Sequence, residues 1–255
     1  MAEASRKKLL DSLKGSFASS NYSDLIITCG SDSYNVHKMI VCSRCDFFAR
    51  AVRFSVGKEA HDGKIDLPED EPAIVKLLMQ YLYEGEYDPA LPPEAQKPTM
   101  EFPHSCSTFP YHRCCSTVCP HHTCGIHCGA NCRDFTCKIC SPPLPPLYGT
   151  ADQLLTHAKM YEIGEKYDVI GLKDLSQEKF SRTCGLFWND PKFPVAAHHA
   201  FSTTPDHDKG LRDLVFKTLS DHLELIDKPE IEAVLTEFNG LAFGLLKEKK
   251  QQGWR

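Results

Sequence analysis

Nine of the thirteen cysteines fall between Cys106 and Cys140, and five of the twelve histidines lie between His104 and Cys140. Such a density of soft donors suits a divalent metal that takes four of them in a tetrahedron. The short spacings are Cys115-x3-Cys119, Cys124-x3-Cys128, Cys128-x3-Cys132 and Cys137-x2-Cys140, with His121, His122 and His127 between them. Cys137-Lys138-Ile139-Cys140 is the best-formed pair, because a two-residue gap on a turn aims both thiolates at one point. No complete C-x2-C…C-x2-C array is present, so the pattern points to structural zinc without naming a zinc fold. The candidate ligands are Cys115, Cys119, Cys124, Cys128, Cys132, Cys137, Cys140, His121 and His127. A metal-free loop of thiols and a set of disulfides stand as the other readings. Nine exposed thiols would be a redox liability, which favours ligation.

Other chemistry is sparse. The chain has no GxSxG, P-loop, GxGxxG or HExxH pattern, and a proline-dense loop is a poor scaffold for an oriented Cys–His nucleophile. His198-His199 beside Val195-Ala196-Ala197 reads as histidines on a helix face. These observations argue against an enzyme. The formal charge of −5 supplies no net basic field for a nucleic-acid backbone. No stretch reaches the ~18 apolar residues of a membrane span, and the start of the chain lacks a secretory cleavage pattern. An intracellular protein, of nucleus or cytoplasm, is expected.

The cysteine-rich stretch sits inside an otherwise ordinary chain of 255 residues, 42% hydrophobic and 25% charged. Leu9, Leu13 and Phe17 at i, i+4, i+8 predict an amphipathic helix over 5–17. Residues 24–29 read as a strand, the cluster Gly30-Ser31-Asp32-Ser33 as a turn, and Tyr34-Asn35-Val36 as the returning strand of a hairpin. Ser43 is placed to cap a helix through Phe47, Phe48, Ala51 and Val52. Lys64 to Leu67 suit a short strand. Asp70 as N-cap and Pro72 in the first turn predict a helix that carries Ile74, Leu77, Leu78, Tyr81 and Leu82 and ends at Gly85. From Pro89 to Gly149 lie eleven of the seventeen prolines, and no helix or sheet period survives them. Thr150 to Gln153 matches a capping box. Helical spacing follows at Leu154, Ala158 and Tyr161, and at Leu172, Leu175 and Phe180; Trp188 to Pro191 is a turn; 211–226 and 230–246 each read as one helix. Strands first and helices after argue for an α+β fold.

Several segments in this order resemble the BTB/POZ proteins common in filamentous fungi. They are Tyr22-Ser23-Asp24-Leu25, Tyr34-Asn35-Val36-His37-Lys38, Cys42 to Phe48, Ile65 to Asp70, Leu78 to Gly85, and Ala158 to Val169 with Gly171 to Leu175. The likeness covers roughly 20–88 and 150–182. It implies a small mixed sheet surrounded by helices, followed by an all-α region. The division is then 1–88 for the first part of the domain, 89–149 for the Pro/Cys/His-rich insertion, 150–182 for its last helices, and 183–255 for a helical extension. It also implies a protein–protein interaction module, often a homodimer. The helix carrying Leu9, Leu13 and Phe17 would serve dimerisation, and the family's charged pocket would fall on Asp24 and Lys38 beside His37. An Asp–Lys pair there fixes register more than it adds affinity, and a capping Asp is the alternative. Some members are cullin adaptors that carry a hydrophobic-x-Glu motif. Here that place reads Gly57-Lys58-Glu59, without the hydrophobe, although a large apolar anchor dominates such interfaces.

Protein purified under reducing conditions is expected to carry at least one zinc per chain by elemental analysis. Zero metal with intact thiols would reduce the Cys/His stretch to a metal-free loop.

Overall fold

The computed structural model describes residues 2–53, 63–90, 104–105, 122–123, 149–251 and 253. Contacts divide the chain into two compact units, one of residues 1–90 with 148–255 and one of 91–147. In the second, His104–Ser105 (β4) and His122–Thr123 (β5) pair as short parallel strands. Every candidate zinc ligand lies outside the described residues.

The first unit begins with helix α1 (Ala2–Ser19). Strand β1 (Leu25–Cys29) alternates, turning Leu25, Ile27 and Cys29 into the core. It pairs antiparallel with β2 (Asp32–Val36) and parallel with β3 (Lys64–Asp66), giving a mixed sheet of order β2-β1-β3. Gly30 takes the left-handed turn position at φ +57°, which a residue with a Cβ rarely adopts.

Two short helices follow where the sequence suggests one cap. Helix α2 (Lys38–Arg44) and α3 (Asp46–Arg53) are separated by Cys45, which is extended and pairs with Val169 across an isolated bridge. Ser43 lies within α2 and its hydroxyl donates to the Ile40 carbonyl at 2.9 Å, so it caps nothing. The tertiary pairing of Cys45 decides the break. Arg44 then reaches the end of helix α4 (Pro72–Glu84), donating to the Tyr81 and Leu82 carbonyls at 3.1 and 2.8 Å. A cation there gives the last-turn carbonyls a charged donor and suits the negative end of the helix dipole.

Helix α4 starts at Pro72 and stops at Gly85, whose left-handed backbone lets its N–H return to the Tyr81 carbonyl at 2.9 Å. Its N-cap is Glu71, not Asp70, and makes no side-chain cap bond. The Asp70 carboxylate instead accepts from the Tyr167 hydroxyl and from Lys166, at 2.9 Å for the lysine.

The second half is helical: α5 (Asp152–Lys166), α6 (Leu172–Phe187), α7 (Lys192–Thr203), α8 (Gly210–Asp221), a 3-10 turn (Leu223–Asp227), α9 (Pro229–Glu237) and α10 (Asn239–Gln251). At the start of α5, Thr150 donates to Asp152 at 3.4 Å and Ala151 is the N-cap, so the capping box does not form. The single helix expected over 230–246 is broken at Phe238, whose ψ of 70° is not helical. Its ring packs on Phe201 and His198 at centroid distances of 5.3 and 5.6 Å, a tertiary contact that overrides the continuous apolar period. His198 and His199 lie on α7, 3.0 Å from Glu237 and Glu162 respectively.

Two apolar cores result. The sheet, α2, α3 and α4 enclose the first, and α7 to α10 the second. Helices α5 and α6 serve both: Met160, Ile163 and Leu172 face the first core, Leu154, Ala158, Phe180 and Cys184 the second. Beside them runs a buried polar chain. One direction satisfies it throughout: His157 Nδ1–H to the Tyr87 hydroxyl (3.1 Å), Tyr87 to Ser176 Oγ (3.4 Å), and Ser176 to the Leu172 carbonyl (2.7 Å).

Burial, with the Lys179 charge adding to it, pushes the His157 imidazole down to about 3 from the ordinary 6.5. The unfolded chain therefore binds a proton near pH 6.5 that the folded chain refuses until about pH 3. Stability that is complete above pH 6.5 should be lost as pH falls, by up to about 1.4 kcal/mol per unit from this group. Urea titrations over pH 4–7 should show a shallower slope for His157→Gln. Equal slopes would show that His157 does not drive the acid loss.

Candidate protein-interaction surface

Among the described residues, the side chains that dock helix α1 lie toward its C-terminal end. Near its C-terminus Phe17 stacks on Tyr83 of α4, with centroids 4.5 Å apart and planes at 20°. Lys14 pairs with Glu84 at 2.9 Å, and Leu13 is half-buried. Toward the N-terminus Leu9 and Leu10 are 61% and 39% exposed. The predicted stripe of Leu9, Leu13 and Phe17 is thus split, one end docked and the other bare.

Tyr83 is the joint of this region. It is 1% exposed, and burial pushes its phenol up from its ordinary value. Its hydroxyl accepts the His37 backbone N–H at 2.8 Å. The same oxygen lies 2.8 Å from His37 Nδ1, and His37 Nε2 lies 2.7 Å from the Asn21 carbonyl. A carbonyl only accepts, so Nε2 carries the hydrogen and Nδ1 accepts from Tyr83. Each of these polar groups then has a partner.

Asp24 and Lys38 also meet, through the backbone. The Asp24 carboxylate accepts the Lys38 N–H at 2.7 Å, at the first position of α2. It caps that helix from the strand side, since the His37 side chain at the N-cap bonds Tyr83 and Asn21 and makes no cap bond to the helix. No ion pair within 4.0 Å joins the Lys38 ammonium to Asp24. The charged groups thus shape the chain entering α2 and leave the Lys38 side chain available.

Exposed apolar side chains flank this cap. Tyr22 is 96% exposed and Met39 87%, each within two residues of Asp24 or Lys38. Ile170, whose N–H donates to the Arg44 carbonyl at the far end of α2, is 69% exposed. Tyr22, Met39 and Tyr83 carry no site signal of their own in the sequence. Tyr83 was hidden within an apolar helix pattern, and the outward turn of Met39 follows from the opposite, buried face of α2 carrying Val41.

The surface has little covalent chemistry to offer. The four described cysteines, Cys29, Cys42, Cys45 and Cys184, are free thiols. Burial pushes all four up, Cys45 to about 11 and Cys184 to about 12, which keeps them protonated and poor nucleophiles. Among the described residues no group of three or more His, Cys, Asp or Glu is placed to hold a metal ion. No helix among them is long and apolar enough to cross a membrane.

Residues 13–101 match the family model described as BTB/POZ domain. The match runs from the docked half of α1 through the sheet to α4 and beyond. No curated protein matches the chain.

Tyr83→Phe keeps the stacked ring but removes the hydroxyl that serves both His37 groups. The loss of satisfied buried polar groups should cost about 1–3 kcal/mol in urea unfolding, with an unchanged slope. A cost under about 0.5 kcal/mol would show that water replaces the hydroxyl.

Proposed function

The chain carries a BTB/POZ domain over residues 13–101, and from that premise we infer a non-enzymatic protein-interaction module that self-associates inside the cell. BTB/POZ domains are in general interaction modules. The observation that supports self-association is the divided helix α1. Its docked end is fixed by Phe17 and Lys14, while Leu9 and Leu10 are exposed among the described residues. A helix half that buries little depends on packing against something else for its order. A second copy supplies that packing symmetrically, because a two-fold interface uses the same patch twice. Met39 and Tyr22 are further exposed apolar side chains that a protein partner can cover.

Zinc held by the Cys/His segment belongs to the same proposal as a structural element, supported by the spacing of its donors alone. A cullin-adaptor role has less support, since the place of the apolar anchor, Gly57-Lys58-Glu59, lacks the hydrophobe and lies outside the described residues.

Light scattering at tens of micromolar should give a dimer for the natural chain. The double variant Leu9→Glu, Leu10→Glu should move it to monomer with an unchanged circular dichroism spectrum. A natural chain that stays monomeric at that concentration sinks the self-association reading and leaves a module for other partners.

A further inference from the structure

A lysine side chain is almost wholly buried where the chain leaves the first unit. Lys179, in the middle of α6, is 1% exposed. A buried ammonium needs a partner for each of its donors. Lys179 Nζ lies 2.5 Å from the Tyr87 carbonyl, 2.9 Å from the Pro89 carbonyl and 2.5 Å from Glu86 Oε1. It also sits 3.7 Å from the centre of the Tyr87 ring. All of these contacts fall on residues 86–89, just before the chain passes at Ala90 to 91–147.

That stretch is neither helix nor strand, so its backbone groups have no ladder to join. Side chains take the place of one. Gln80 of α4 accepts the Asp88 N–H at 3.1 Å and donates to the Asp88 carboxylate at 3.2 Å. Glu86 accepts the Tyr87 N–H at 2.8 Å. Lys179 takes the two carbonyls on the other side. The Tyr87 hydroxyl is held in turn by His157 of α5, the helix that begins where the chain returns at residues 149–152. Departure and return are therefore both tied to the α5–α6 pair. An apolar residue at 179 would fill the same space and take the ammonium donor from one buried and one part-buried carbonyl.

We propose that Lys179 is a positioning residue for the exit of residues 91–147, holding residues 86–90 as a fixed strut rather than a free hinge. Its charge is used to converge on several acceptors of an irregular segment, which a compact ammonium on a flexible stem does better than a planar guanidinium.

Hydrogen exchange of the full chain, read by mass spectrometry, tests this. Lys179→Met keeps the stem and removes the donors. The amides of Tyr87 and Asp88, each held by a side-chain acceptor, should then exchange faster by about tenfold or more, while those of Leu25–Cys29 keep their protection. Unchanged exchange at Tyr87 and Asp88 overturns the proposal. So does an equal rise across both cores, which would make Lys179 a filler of the interior. Should Lys179→Met fail to fold, Glu86→Gln takes its place, because Glu86 is 31% exposed and loses only its charge. A smaller rise confined to the same amides supports the strut, and none there overturns it.

Discussion

Helix α5 has two apolar faces, and most of the architecture follows from that. One face, with Met160 and Ile163, closes the core built on the sheet; the other, with Leu154 and Ala158, opens the core of the C-terminal helices. All four of these side chains are at most 3% exposed. A surface helix shows one stripe and a wet back; a helix apolar on two sides belongs between two layers. The sheet half and the helical half are thus continuous through α5 and its neighbour α6. Neither half can shed the other without exposing a row of buried side chains to water.

Tyrosine hydroxyls tie this arrangement together across long sequence separations. Tyr81 donates to the Ile170 carbonyl at 2.8 Å, and Tyr161 to Asp208 at 2.5 Å. Tyr167 donates to Asp70, Tyr83 serves His37, and Tyr87 links His157 to Ser176. In each case the ring is buried and the hydroxyl reaches a polar group of another segment. A buried hydroxyl without a partner is costly, so each tie penalises a misplaced element more than it strengthens a correct one. At Gly210 the fit is close enough that a Cβ would lie 2.2 Å from the Tyr161 hydroxyl, so only glycine lets α8 begin there.

Features that depend on local chemistry were legible in the sequence. The hairpin around Gly30, the helix framed by Pro72 and Gly85, and the α+β order all follow from turn residues and periodicity. Features decided by distant partners were not. Asp70 looks like an N-cap from its neighbours, yet Tyr167 and Lys166, almost a hundred residues on, claim its carboxylate. Ser43 looks like a cap until Val169 pairs with Cys45. The apolar period over 230–246 runs without interruption, and the kink at Phe238 comes from rings on α7. At the candidate surface, the apolar period points to Phe17 and the family resemblance to His37 and Asp24, but Tyr83, on which Phe17 and His37 meet, carries no local signal that separates it from Leu82.

Tyr83 touches α1 with its ring and the entrance of α2 with its hydroxyl. Whatever orders α1 therefore also steadies the chain at His37, and whatever draws α1 away uncovers a buried phenol. Association and folding are then linked by mass action: a partner that binds only the docked form of α1 adds its binding free energy to the stability of the whole domain. Were that partner a second copy of the chain, the midpoint of thermal unfolding would become a function of protein concentration, and a contact made at α1 would be read out in the sheet.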